Sequence, residues 1–192
     1  MTWQPGLPRY DAAGELPPLV LAAVQASRDT GCERACIPEL GRLLRVLAAG
    51  RARIGETGTA CGVGAAWIAS GTSPGASVVT VELDDRFAAA AARVLAETAH
   101  VIAGDWTEIR LHAPFDLLFC DHGVDKGNPE PMLELVAPGG LLVLDDLTPA
   151  RADGDPLRAA WAARDDATTA EVLLTATESC LLVSRAARTR GT

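Results

Sequence analysis

Two kinds of residue in this sequence are placed to do chemistry: glycines gathered in one short turn, and carboxylates that end successive apolar runs. Gly58, Gly62 and Gly64 fall within Glu56-Thr57-Gly58-Thr59-Ala60-Cys61-Gly62-Val63-Gly64, between a short β-type run and a helical one. Residues without a Cβ let a strand reverse tightly and let backbone amides approach a bound group. The pattern G-x-x-x-G-x-G departs from the G-x-G-x-x-G of dinucleotide binders, so on its own it points only to a nucleotide-like ligand.

The acids narrow the choice. Glu82 closes Val-Thr-Val-Glu, Asp105 follows Ala-Gly-Asp-Trp, Asp121 closes Phe-Cys-Asp-His, and Asp145-Asp146 end Leu-Val-Leu-Asp-Asp. One acidic strand end usually does no more than cap the next helix. In an open parallel sheet, however, ligands bind beyond the carboxyl ends of the strands, so acids at successive ends belong to one site. Glu82 lies 20 residues after Gly62, the separation at which a carboxylate accepts hydrogen bonds from a ribose held over such a turn. Of the basic residues, sixteen are arginine and only Lys126 is lysine. Lysine, unlike arginine, can give up its proton in a protein, so its place near these acids gives it a candidate catalytic role beside the alternative of chance.

The elements that must position these groups alternate along the chain. Arg53 to Thr57 reads as a strand, Val63 to Ala69 as a helix, Ser77 to Glu82 as a strand, and Asp85 to Thr98 as an alanine-rich helix. His100 to Ala103, Phe115 to Cys120 and Leu141 to Leu144 read as further strands, with a short helix over Pro129 to Val136. Unalternated apolar strands separated by helices predict a parallel sheet covered on both faces. Ahead of it, Leu19 to Ser27 and Pro38 to Ala49 carry apolar residues at helical spacing. After it come a helix from about Pro156 to Arg164 and a hairpin pairing Ala170 to Thr175 with Cys180 to Val183. The expected organisation is one domain over 1–192: an irregular proline-rich arm over 1–18, N-terminal helices over 19–50, a Rossmann-like core over 51–185 and a frayed tail over 186–192.

Composition removes several classes of function. A net charge of −8 disfavours broad attraction to nucleic acid or anionic membranes. Although 48% of residues are hydrophobic, no run approaches the roughly 18 that a span requires. The first residues lack a basic segment followed by an apolar one, so the cytoplasm is the expected compartment. Five scattered cysteines, Cys32, Cys36, Cys61, Cys120 and Cys180, show no zinc or disulfide spacing and are expected as free thiols. His100 and His112 lack a partner constellation and read as structural or solvated.

Taken in order, Glu56-x-Gly58-x-x-x-Gly62-x-Gly64, Val-Glu82-Leu-Asp, Gly104-Asp105, Phe-Asp-Leu-Leu-Phe-Cys-Asp121 and Pro-Gly-Gly-Leu-Leu-Val-Leu-Asp145-Asp146 resemble class I S-adenosylmethionine-dependent methyltransferases. More narrowly, they resemble the O-methyltransferases of the catechol and caffeoyl-CoA type, over roughly Pro38 to Arg185. The resemblance implies that Glu56, Gly58, Thr59, Gly62 and Gly64 surround the methionine part of the cofactor. Glu82, with Leu83 beside it, would take the ribose. Gly104 and Asp105 would take the adenine, with Trp106 packed on its ring, and Asp121 would line the site. It further implies that Asp121, Asp145 and Asp146 hold a divalent cation such as Mg²⁺, Mn²⁺ or Ca²⁺, which prefer oxygen ligands. Here aspartate stands at 146 where the family has asparagine. Adjacent strand residues face opposite ways, so Asp145 and Asp146 converge only if the strand has already ended; otherwise one of them is a cap.

Related enzymes often carry a lysine three residues beyond the first aspartate, whereas Lys126 is five beyond Asp121. The intervening loop must therefore differ, and either Lys126 or His122 remains a candidate base. The fold expected is a doubly wound α/β methyltransferase: seven strands, six parallel and one antiparallel from the final hairpin. The expected reaction is methyl transfer to a hydroxyl of a small, catechol-like substrate; members of the family are often homodimers, and no feature of this sequence establishes one. The alternatives are a metal-independent methyltransferase acting on another small-molecule, protein or RNA hydroxyl, a non-catalytic cofactor-binding protein, and a nicotinamide dehydrogenase, the last disfavoured by the glycine spacing.

Overall fold

The structure is a computed structural model that describes residues 6–122, 124–149 and 154–187. Two helices lead the chain, α1 (Pro18–Thr30) and α2 (Pro38–Ala48). The core then alternates β1 (Arg53–Thr57), α3 (Val63–Ala69), β2 (Ser77–Glu82), α4 (Asp85–Leu95), β3 (His100–Ala103) and β4 (Phe115–Cys120). It finishes with α5 (Pro129–Leu133), β5 (Val136–Leu147), α6 (Pro156–Ala162), β6 (Ala167–Leu173) and β7 (Ser179–Arg185). The seven strands form one sheet in the order β3-β2-β1-β4-β5-β7-β6. Strands β1 to β5 pair in parallel, and β7 runs antiparallel to both β5 and β6. The single reversed strand is the last one, as the hairpin spacing predicts.

Proline at the first turn starts α1, α2, α5 and α6, where a missing N–H costs nothing. The central strands are dark on both faces because helices cover both: Leu117, Leu118, Phe119 and Cys120 of β4 are all inaccessible to solvent. One apolar cluster joins α1, α2 and α3 to one face of the sheet, and a second packs Trp161 of α6 and Met132 of α5 against the other. The strand order reverses between β1 and β4, which places a crevice beyond their carboxyl ends.

The amino-terminal arm differs from expectation. Leu7–Ala12 form a 3₁₀ helix, with Leu7 and Tyr10 buried. Proline and glycine content suggested an irregular segment, but one aromatic anchor and a favourable turn at Pro8 are enough to dock it. Strand β5 is also longer than the Leu141 to Leu144 expected, beginning at Val136 and taking up the end of the predicted helix. The tail beyond Ala187 lies outside the described residues.

Candidate active site

Strand β1 ends at Thr57 and the chain turns through Gly58, whose φ is +84°, into the helix α3. A side chain at Gly58 would strike the backbone and Cβ of His122 within 3 Å, so glycine is required both for the turn and for the close approach of the segment after β4. The amides of Gly58 and Thr59 donate to the Val81 carbonyl, and that of Ala60 donates to Glu82 Oε2 at 2.7 Å. The turn is thus braced by β2, and Glu82 also accepts from the Asp84 amide at 3.0 Å. Thr59 itself is buried and hydrogen-bonded through its hydroxyl to Thr80.

Glu56 sits one residue before the end of β1 and is only 1% exposed. Its Oε2 accepts from the Thr80 hydroxyl at 2.5 Å, while its Oε1 fills the space a side chain at Gly64 would need. Burial pushes this carboxyl up to about 8, the Thr80 hydrogen bond opposes the shift, and the charge of Glu82 adds to it. Gly64 is therefore coupled to Glu56 rather than to a backbone conformation.

At the other side of the crevice, Asp121, Asp145 and Asp146 each offer a carboxylate oxygen within 4.8 Å of the others. Their convergence has a definite local cause. The register between β5 and β7 breaks between Leu144 and Leu147, and Asp146 adopts φ +63°, so the strand bulges and its alternation is interrupted. Aspartate tolerates this left-handed conformation better than most residues. Burial raises Asp145 to about 7, with the charge of Asp146 adding and that of Lys126 opposing. Burial also drives Asp121 well above the usual carboxylate range, and Asp145 reinforces it. Such a cluster of hard oxygen donors, only partly compensated by Lys126, fits a divalent cation.

Lys126 reaches this cluster despite its displaced position in the sequence. Its Nζ donates to the Asp145 carbonyl at 3.0 Å and to Asp146 Oδ2 at 3.1 Å. The indole of Trp161 holds the Lys126 carbonyl at 2.8 Å, which anchors the backbone of the loop. His122 is exposed, with its amide donating to the Thr57 carbonyl at 3.1 Å.

A cavity of about 620 Å³ opens between these groups. Gly58, Ala60 and Glu82 line it on one side of the sheet reversal, and Asp121, His122, Asp145 and Asp146 on the other. Neither Lys126 nor Asp105 is among its lining residues. Asp105 instead caps a 3₁₀ helix over Trp106–His112, accepting from the Thr107 amide while Glu108 returns to the Asp105 amide. Gly104 packs against that glutamate, and Trp106 lies beneath the guanidinium of Arg110 at 5.8 Å. Leu83 is 75% exposed.

The remaining lining was not legible in the motifs. Arg34, Ala35 and Ile37 come from the segment joining α1 to α2, Leu147 and Thr148 from the end of β5, and Thr177 and Glu178 from the link between β6 and β7. Cys32 packs with Cys61 of the glycine turn rather than with Cys36, and all five cysteines are free.

Sheet order and site geometry agree with what comparison finds. Residues 56–147 match the family model of a methyltransferase domain. The sheet order and the glycine turn agree with that methyltransferase domain. The chain is similar to the O-methyltransferase TomG from Streptomyces achromogenes, solved in complex with SAM, at 25% identity and a TM-score of 0.71, over 92% of this chain and 94% of that one. It is similar to an O-methyltransferase from Bacillus cereus in complex with SAH at 22% identity and TM-score 0.72, covering 94% and 96%. Cofactor-bound Rv0187 from MTB aligns at 23% identity and TM-score 0.73, covering 98% and 100%. A search of curated protein sequences found no match. Among the described residues, no helix is long and apolar enough to cross a membrane.

Proposed function

We propose that this enzyme is an S-adenosylmethionine-dependent O-methyltransferase whose acceptor is a hydroxyl of a small, catechol-like molecule. The observation that carries the reading is the convergence on one cavity of the glycine turn and Glu82 with Asp121, Asp145 and Asp146. Two of the similar O-methyltransferases were solved with SAM or SAH, which supports the cofactor. S-adenosylmethionine supplies an activated methyl group. The turn from Gly58 to Gly64 would border its methionine part, and Glu82 would accept hydrogen bonds from the ribose hydroxyls. Asp105 would meet the adenine amino group with Trp106 beside the ring, a role the capping geometry of Asp105 leaves to its second carboxylate oxygen.

Asp121, Asp145 and Asp146 would hold a divalent cation, which lowers the pKa of a bound hydroxyl and directs it. Lys126, bonded to Asp146, and His122, on the cavity wall, are the two groups that could accept the hydroxyl proton. Holding acceptor and methyl donor in line is where the protein contributes most of the rate. A specific contact also supports a metal-independent variant of the same reaction: the Lys126 ammonium already pairs with Asp146 and partly neutralises the cluster.

The test is methyl transfer from S-adenosylmethionine to a panel of catechols and simple phenols, in Mg²⁺ and in chelator, with S-adenosylhomocysteine binding followed by calorimetry. Turnover of catechols that collapses in chelator supports the metal-assisted reading, and equal turnover selects the metal-independent one. Tight binding without transfer to any acceptor would leave a cofactor-binding protein.

A further inference from the structure

The docked amino-terminal helix touches two parts of the cavity wall that no motif marks. Tyr10 is 5% exposed, and its hydroxyl donates to the Cys36 carbonyl at 2.9 Å while accepting from Trp67 Nε1 at 2.9 Å. Gly6 lies against the Ala35 carbonyl with no room for a Cβ. On its other side, Arg9 Nη2 forms an ion pair with Glu178 Oε2 at 2.8 Å, both side chains being more than two-thirds covered. Ala35 and Ile37 flank the carbonyl that Tyr10 holds, and Thr177 and Glu178 form the tip that Arg9 holds. All four line the cavity beside Asp145 and Asp146, yet they belong to segments separated by about 140 residues and share no strand pairing.

We propose that Arg9 and Tyr10 are positioning residues for the methyl acceptor: the arm ties the Ala35–Ile37 segment to the Thr177–Glu178 link and thereby sets the width of the acceptor end of the cavity. This assignment rests on the methyltransferase reading of that cavity. Tyr10 anchors the arm through Trp67 of α3, a helix packed in the core, so the brace is referenced to the same element that carries the glycine turn. Arg9 then transmits that reference to a hairpin tip whose own contacts are local, since Thr175 and Glu178 bond mainly to each other. A hairpin tip held only by itself is among the more mobile parts of a fold, and a wall residue there needs an external tether.

The experiment is a double-mutant cycle on the full chain with Arg9→Gln, Glu178→Gln and the double variant, plus Arg9→Lys. The readouts are KM and kcat for the best catechol of the panel, calorimetric affinity for S-adenosylhomocysteine, and amide exchange over 174–179. Each single neutral variant should raise the acceptor KM roughly two- to five-fold, the scale of a partly covered ion pair. The cofactor affinity and kcat should change by less than about two-fold, Arg9→Lys should retain most of the effect, and the double variant should be no worse than either single one. Exchange at the tip should rise in Arg9→Gln. Additive effects, or an Arg9→Gln variant with unchanged KM and unchanged exchange, would overturn the assignment. If the wild type methylates no acceptor, the functional reading falls and the acceptor role falls with it, whereas turnover that ignores Arg9 refutes this assignment alone.

Discussion

The replacement of Glu56 by glutamine tests the electrostatics of the site in a single measurement. Glu56 is buried, bonded to Thr80, and held at about 8 against an ordinary value of 4.5. The folded protein therefore keeps a proton that the unfolded chain gives up. The stability this contributes is fully present below 4.5 and is lost as pH rises through about 8. Between pH 5.5 and 8 the difference amounts to about two units of proton linkage, or roughly 3 kcal/mol at about 1.4 kcal/mol per unit. Glutamine has nearly the same shape, can still accept from Thr80, and does not titrate. In the protein without cofactor, the stability of Glu56→Gln relative to the wild type should be lowest at the acid end of the window and rise increasingly toward pH 8.

For a chain of this length roughly 2–4 °C accompanies each kcal/mol, so the gap in Tm should widen by about 6 °C or more across that window. Thermal unfolding of the two proteins in matched buffers measures it directly. Asp121 and Asp145 titrate in both proteins, and since the charge of Glu56 is the smallest of the causes named for Asp121, the difference between the curves reports chiefly on position 56. Parallel curves would refute the argument and mean that water or a counter-charge relieves Glu56. A gap that narrows with pH would give it the wrong sign.

Three further outcomes follow from the same geometry. Glu82→Ala removes the acceptor for the Ala60 amide as well as the expected ribose contact, so S-adenosylhomocysteine affinity should fall roughly 10- to 100-fold by calorimetry; unchanged affinity would remove Glu82 from the cofactor site. Gly58→Ala forces a Cβ onto a φ of +84° and against His122, so soluble protein should be less stable by more than about 1 kcal/mol in denaturant titration, and a neutral result would contradict the packing. Tyr10→Phe strands the Trp67 N–H in the core and should cost about 1–3 kcal/mol by chemical unfolding, while a cost below about 0.5 kcal/mol would show that the arm is not docked through that bond.

Much of the fold is readable because its signals are local. Apolar strands, all but β5 of four to seven residues, alternate with helices that, α3 apart, begin at proline or aspartate, and the glycine turn interrupts one such unit at a recognisable spacing. Glu82 and Asp121 are equally readable, since their places at strand ends follow from the strands themselves, whereas Asp145 and Asp146, expected to end the fifth strand, lie inside β5, which runs on to Leu147. What could not be read depends on contacts between distant segments. Composition speaks against a packed arm, and contacts to distant segments explain its docking: Tyr10 with Trp67, Gly6 against Ala35 and Arg9 with Glu178. The bulge that turns Asp145 and Asp146 toward one point has no glycine to announce it, because Asp146 itself takes the left-handed conformation. The walls formed by Ala35, Ile37, Thr177 and Glu178 come from connections whose sequences carry no chemistry of their own.

The charge around the cavity bears on which cofactor it suits. Glu82, Asp121, Asp145, Asp146 and Glu178 line it, and Arg34 is the one arginine or lysine among the described lining residues. Glu178 is satisfied by Arg9, Lys126 pairs with Asp146, and burial favours the protonated forms of Asp121 and Asp145, so the wall holds acids that a bound cation would ionise and a bound anion would not. A nicotinamide dinucleotide brings a pyrophosphate with two further negative charges, and opposing like charges at 4 Å costs roughly 4 kcal/mol per pair at an effective dielectric constant near 20. The amides that would cradle such a phosphate are already committed, those of Gly58 and Thr59 to Val81 and that of Ala60 to Glu82. A cofactor that carries a cationic sulfonium and no phosphate meets neither obstacle. Its positive charge would instead replace the protons that burial forces onto Glu56, Asp121 and Asp145. The same field that disfavours a dehydrogenase therefore favours methyl transfer, independently of the spacing of the glycines.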